Sequence, residues 1–171
     1  LGDPQWSAHR EGDTVSQTFA IGTPIDHHHP VYIDGSGGFF TRDVRLRRCG
    51  WGWAQIHSTT HAPILEQWGG LHSRFQTVPR AEIQAITFCM QAIIEGNARD
   101  CSYDIYSDSK VAVKGASAGK TYCRKAKNAS IWTQFWMNHE ALSAKGVHVR
   151  VHKVEGHITD EQVASGTRSE E

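Results

Sequence analysis

The chain has 171 residues, enough for one domain with its own core and too few for two of ordinary size. Lys plus Arg number 18, Asp plus Glu number 18, and 39% of residues are hydrophobic, which excludes a disordered tail of one charge sign. With 16 Gly and 5 Pro the collagen-like and low-complexity classes are excluded as well, and no apolar run reaches the roughly 20 residues of a membrane span.

Residues 1–29 are mixed and aperiodic, and read as a flexible or loosely docked leader ahead of a domain over residues 30–171. The segment is polar at its start, with no charged-then-apolar signal peptide. None of Cys49, Cys89, Cys101 and Cys123 forms a C-x-x-C pair, so free thiols in a reducing compartment are expected, cytoplasmic or nuclear. His27, His28 and His29 stand in a row; they suit a transition metal, or simply an exposed polar stretch.

Val31-Tyr32-Ile33-Asp34 is a short β-branched and aromatic run, stopped by the turn signal Gly35-Ser36-Gly37-Gly38. Cys49 to Ile56 reads as a second strand, with Trp51 and Trp53 sharing one face against a helix, and Ile64 to Leu71 as a third. Short links make this an antiparallel meander. The period then changes. Between Pro79 and Gly96, the residues Ile83, Ile86, Met90, Ile93 and Ile94 recur at helical spacing, predicting a helix over 80–95. Alternation predicts a fourth strand ending at Asp108, then a short helix from Ser109 to Lys114 stopped by Gly115. Residues 130–145 form an amphipathic helix with Trp132, Phe135 and Trp136 as core, and Val147 to Val151 a fifth strand. The order βββ-α-β-α-α-β predicts an α/β fold, a mixed five-stranded sheet with helices on its faces.

Asp34 and Asp108 each end a strand, and Glu82 falls in the expected first turn of the first helix. Alone, each is ordinary: Asp at a strand end caps turns, and an early Glu suits a helix dipole. If the two strands are parallel neighbours, all three carboxylates meet at the carboxyl edge of the sheet, where α/β folds bind ligands. Three hard oxygen donors suit Mg²⁺ or Mn²⁺ rather than zinc. Two such ions, about 3.5–4 Å apart, suit displacement at a phosphate.

Tyr32-Ile33-Asp34-Gly35-Ser36, Pro79-Arg80-Ala81-Glu82, Tyr106-Ser107-Asp108-Ser109-Lys110 and Val154-Glu155-Gly156-His157 follow one another in the order of the ribonuclease H family, which the chain resembles over residues 30–166. The flavour is similar to retroelement ribonuclease H domains and their eukaryotic relatives. The resemblance implies metal-dependent endonucleolytic cleavage of the RNA strand of an RNA–DNA hybrid. Asp34, Glu82 and Asp108 take the metal-binding places, and His157 that of the loop histidine assisting proton transfer or product release. The backbone at Gly35 and Ser36, together with Arg80, lies toward the nucleic acid. A larger reverse-transcriptase polyprotein is the expected setting. No residue matches the family's fourth carboxylate, position 167 being Thr, so the last helix is expected to be missing or the domain degenerate. The degenerate alternative binds nucleic acid or supports a reverse transcriptase without cleaving. A DNA-acting integrase of the same fold is disfavoured, since its third carboxylate lies on a late helix.

From Ser109 to His139 the chain has no acid, while Lys110, Lys114, Lys120, Arg124, Lys125 and Lys127 are basic. Lys120 to Lys127 reads as a basic loop that neutralises phosphates without reading sequence. Arg42, Arg45, Arg47 and Arg48 make a second basic cluster.

Overall fold

The computed structural model describes residues 15–37 and 48–154. His157 with the rest of residues 155–171, and the arginines at 42, 45 and 47, lie outside the described residues.

Three strands build the expected meander: β2 (Val31–Ser36), β3 (Gly50–Ile56) and β4 (Pro63–Gly70), each antiparallel to the next. A strand the sequence pattern does not announce, β1 (Ser16–Gln17), pairs with Trp68 and Gln67 at the outer edge of β4. Helix α1 (Val78–Glu95) follows, then β5 (Ser102–Ser107). Three helices come next, α2 (Lys110–Ala118), α3 (Lys120–Lys125) and α4 (Ala129–Ser143), before the last described strand, β6 (His148–Lys153). The sheet therefore has six strands rather than five, in the order β1-β4-β3-β2-β5-β6, with β5 parallel to both β2 and β6.

Of the segment 1–29, expected to be a flexible or loosely docked leader, the described part is docked on the sheet. Ile25 is buried in the core, Phe19 packs on Trp53 with ring centroids 5.6 Å apart, and the Tyr103 hydroxyl donates to the Ile25 carbonyl at 2.5 Å. These are single anchors along an aperiodic stretch, so no periodicity betrays them.

Helix α1 forms where its apolar spacing puts it. Thr77 caps it, Pro79 fits its first turn, and Ile83, Ile86, Met90 and Ile93 are sealed against the sheet and α4. Trp51 stacks on Phe88 of this helix, 4.2 Å between centroids and 9° between planes. Gly69 leaves room for that indole: a Cβ there would sit 3.1 Å from Trp51 Cζ2. Helix α2 runs through Gly115, which the sequence pattern takes as its stop. The Trp132 ring occupies the space where a Cβ would go, so this glycine serves packing rather than termination. The expected basic loop at 120–127 is also largely helical, because Cys123 is buried and anchors α3 against α4. Trp132, Phe135 and Trp136 are core. No helix among the described residues is long and apolar enough to cross a membrane.

Candidate active site

β2 and β5 lie side by side and parallel, with Val31 opposite Ile105 and Tyr32 opposite Tyr106. The same offset carried two residues on sets Asp34 opposite Asp108, on strands spaced about 4.8 Å apart. β2 continues through Asp34 to Ser36, whereas β5 stops at Ser107, so Asp108 opens the turn into α2, whose cap is Ser109. Asp34 is exposed and Asp108 half-buried.

Glu82 completes the set from the other side. Helix α1 starts at Val78, so Glu82 is its fifth residue and no acid stands in its first turn. The helix dipole expected from a first-turn position is replaced by specific partners. The Ser107 hydroxyl donates to Glu82 Oε2 at 2.8 Å, and the Gly35 backbone N–H donates to the same carboxylate. Gly35 permits this approach, since a Cβ there would stand 3.0 Å from Glu82 Oε1 and 3.2 Å from the Val78 carbonyl.

Glu82 is only 1% exposed. Burial pushes its carboxyl up to about 7, Asp108 and Asp34 push the same way, and the bonds from Ser107 and Gly35 oppose them. Asp34, Glu82 and Asp108 thus bring three carboxylates together, and such an all-oxygen, anionic donor set fits a hard divalent cation.

Arg80 is predicted from sequence as a nucleic-acid contact, and the structure turns it inward, 6% exposed. Its Nε donates to Ser73 Oγ at 2.8 Å and its Nη2 to Ser130 Oγ at 2.9 Å, with the Phe75 ring 5.8 Å away. It ties the 72–77 loop to the start of α4 beside a cavity of about 450 Å³ that Arg74, Gln84 and Gln134 also line. Lys120, Arg124 and Lys125 sit on α3, with Lys127 in the turn after it, all exposed. Lys120 is bound to Glu140 at 2.7 Å. Asp34, Glu82, Asp108 and Gly35 are therefore brought together, while the basic residues form a separate surface.

Sequence reasoning missed Ser107 as a site residue. The signal was present: it takes the inward place in the alternation Tyr103, Ile105, Ser107, where a hydroxyl needs a buried partner.

A mixed sheet whose parallel pair β2 and β5 brings two aspartates to one edge, with a buried glutamate beside them, defines a three-carboxylate site on an α/β fold. The RNase H family model matches residues 27–166, and the chain belongs to the ribonuclease H family. Among curated proteins none matches. Similar solved structures include LC9-RNase H1, described as a type 1 RNase H with the type 2 active-site motif. It has a TM-score of 0.55 at 19% identity, over 86% of this chain and 72% of that one. LC11-RNase H1 in complex with RNA/DNA hybrid gives 0.53 at 14% identity, over 79% and 88%. The prototype foamy virus protease-reverse transcriptase gives 0.53 at 18% identity, over 86% of this chain and 21% of that one. At these identities the likeness is one of fold.

Proposed function

We propose that this domain hydrolyses the RNA strand of RNA–DNA hybrids endonucleolytically, leaving 5′-phosphate and 3′-hydroxyl ends. The observation that carries the reading is the convergence of Asp34, Glu82 and Asp108, from three elements, around a glutamate so buried and so crowded by like charge that its carboxyl is pushed up to about 7. Perturbed carboxylates of this kind mark functional sites. Family membership and the likeness to a neighbour solved with RNA/DNA hybrid support the substrate.

Asp34, Glu82 and Asp108 would hold Mg²⁺ or Mn²⁺, two ions in the fuller form of this reading. When bound, such ions activate a water and offset charge on the leaving oxygen. The chain's own residues position and orient. Ser107 and Gly35 orient Glu82 and favour its ionised form, and the backbone at Gly35 and Ser36 approaches the RNA strand, where 2′-hydroxyls distinguish it from DNA. His157 assists proton transfer or product release. The exposed basic residues Lys120, Arg124, Lys125 and Lys127 engage the duplex backbone, while Arg80, turned inward, braces the 72–77 loop against α4. The similarity to one part of a foamy virus protease-reverse transcriptase supports a place within a larger reverse-transcriptase polyprotein.

The test is incubation with labelled RNA–DNA hybrid, double-stranded RNA and double-stranded DNA, with Mg²⁺ or Mn²⁺, beside Asp34→Asn. Hybrid-only cleavage that Asp34→Asn abolishes is expected. Metal-independent binding without cleavage would overturn the enzymatic reading in favour of a binding domain.

A further inference from the structure

The turn leading into β2 carries a second cluster of metal-ligating side chains. One ligand atom from each of Asp26, His27 and His28 lies within 4.8 Å of the other two, and all three residues are exposed. Asp26 Oδ1 accepts from the His28 backbone N–H at 3.0 Å and meets His28 Nδ1 at 2.6 Å. The His27 and His28 rings lie 4.0 Å apart.

The backbone beneath these side chains is fixed. Gln55, fully buried on β3, donates its Nε2 to the carbonyls of both Asp26 and His29, at 2.5 and 3.2 Å. The buried Tyr103 hydroxyl holds the preceding Ile25 carbonyl, and the His27 ring meets the Tyr103 ring edge-on at 6.2 Å. His29 braces the cluster from behind. Its Nδ1 accepts from the Ser58 N–H at 3.1 Å, its Nε2 stands 3.6 Å from Asp26 Oδ2, and its ring lies tilted against His57, 4.4 Å between centroids. His29 thus stands behind Asp26 Oδ2 as a supporting residue stands behind a metal ligand.

Two imidazoles and one carboxylate are a donor set for borderline divalent metals, which take three protein ligands and leave a position to water; Mg²⁺ prefers oxygen throughout. From the geometry we infer that Asp26, His27 and His28 form a binding site for a divalent transition-metal ion of the zinc class. It lies at the start of β2, with roughly 10 Å of strand between Val31 and Asp34 separating it from the catalytic carboxylates. Binding to the folded chain alone stabilises it by mass action.

The test is titration of the whole chain with Zn²⁺ by calorimetry and with Co²⁺ by visible absorption, in excess Mg²⁺. It compares the wild type, Asp34→Asn/Asp108→Asn, and His27→Gln/His28→Gln. One equivalent is expected to bind to the wild type and to Asp34→Asn/Asp108→Asn alike, with affinity at least tenfold lower in His27→Gln/His28→Gln. Zn²⁺ should raise the melting temperature of the wild type and not of His27→Gln/His28→Gln, whose hybrid cleavage in Mg²⁺ stays at the wild-type rate. The inference is overturned if the wild type shows no saturable Zn²⁺ binding in excess Mg²⁺. It is equally overturned if His27→Gln/His28→Gln binds as the wild type does, or if binding disappears in Asp34→Asn/Asp108→Asn.

Discussion

The hydroxyl of Ser107 donates to Glu82 Oε2 across 2.8 Å, joining the last residue of β5 to the second turn of α1. This bond favours the ionised glutamate against burial and against two neighbouring aspartates. Ser107→Ala removes it and raises the Glu82 carboxyl further above about 7. The acid limb of the pH–rate profile for hybrid cleavage should then move up by about one pH unit, equivalent to about 1.4 kcal/mol. Cleavage at neutral pH falls severalfold and recovers in alkali. An acid limb left in place by Ser107→Ala would show that Glu82 ionisation does not limit the reaction.

Glu82 also makes the stability of the metal-free chain depend on pH. Its folded carboxyl sits at about 7 against the ordinary 4.5, so the folded state keeps a proton that the unfolded state releases between those limits. The sign follows: this contribution is fully present below about pH 4.5 and is lost as pH rises through about 7, amounting to about 3 kcal/mol. Glu82→Gln cannot ionise and escapes the loss. It should be more stable than the wild type at pH 8 and approach it near pH 4.5, as read by urea midpoints with metal removed. Added Mg²⁺ should narrow the difference at pH 8 by stabilising only the wild type. Parallel stability curves for the two chains would refute the assignment.

Gly35 sets the distance between strand β2 and the glutamate. A Cβ there would stand 3.0 Å from Glu82 Oε1, 3.1 Å from Glu82 Cγ and 3.2 Å from the Val78 carbonyl, which is too tight for the side chain to stay where it is. Gly35→Ala should displace the Glu82 carboxylate and cost about 1–3 kcal/mol of stability. Hybrid cleavage should fall at least tenfold while the far-UV circular dichroism is kept. Cleavage at the wild-type rate would mean that Glu82 needs no fixed place.

Much of this was legible in the sequence, for physical reasons. Period-2 and period-3.6 patterns report burial on one face, so β3, α1 and β5 could be placed to within a residue or two. Asp34 and Asp108 were legible as carboxylates near strand ends, although β2 runs on past Asp34 to Ser36 and β5 stops one residue before Asp108; their meeting required only that β2 and β5 be parallel neighbours. What escaped were contacts carried by single residues. β1 has two residues and no period, and its segment is held by Phe19 and Ile25, which no pattern links to Trp53 or Tyr103. Arg80 looks like a surface cation, and only the fold shows Ser73 and Ser130 converging on it from 7 and 50 residues away. Gly115 reads as a helix stop because glycine weakens helices, whereas the Trp132 ring that requires it comes from another helix.

That glycine offers a test of the packing behind the site. At Gly115 a Cβ would lie 2.1 Å from Trp132 Cζ2, and the Trp132 ring is itself buried, edge-on to Phe135 at 4.8 Å. Gly115→Ala therefore forces α2 away from α4 and should cost about 1–3 kcal/mol, a fall in melting temperature of about 2–4 °C per kcal/mol for a chain of this size. Trp132→Leu in the same chain should recover part of the loss, a coupling that a double-mutant cycle measures. Additive effects would place the cost of Gly115→Ala in the helix backbone alone.

The basic residues of α3 and the turn after it predict how binding responds to salt. Arg124, Lys125 and Lys127 are exposed, while Lys120 is tied to Glu140 at 2.7 Å and holds that carboxyl below its ordinary range. A cation engaged with a carboxylate releases fewer counterions on meeting a phosphate. Each phosphate contact contributes about 0.7–0.9 to the slope of log affinity against log salt, depending on the strand type. Replacing Arg124, Lys125 and Lys127 by Gln should flatten that slope for RNA–DNA hybrid by about 2–3, whereas Lys120→Gln alone should change it by less than one contact's worth. The measurement is hybrid binding by fluorescence anisotropy across a salt series, in an Asp34→Asn background so that the substrate stays intact. If the triple replacement leaves the slope unchanged, the duplex does not lie on this surface, and the acid-free stretch from Ser109 to His139 serves solubility instead.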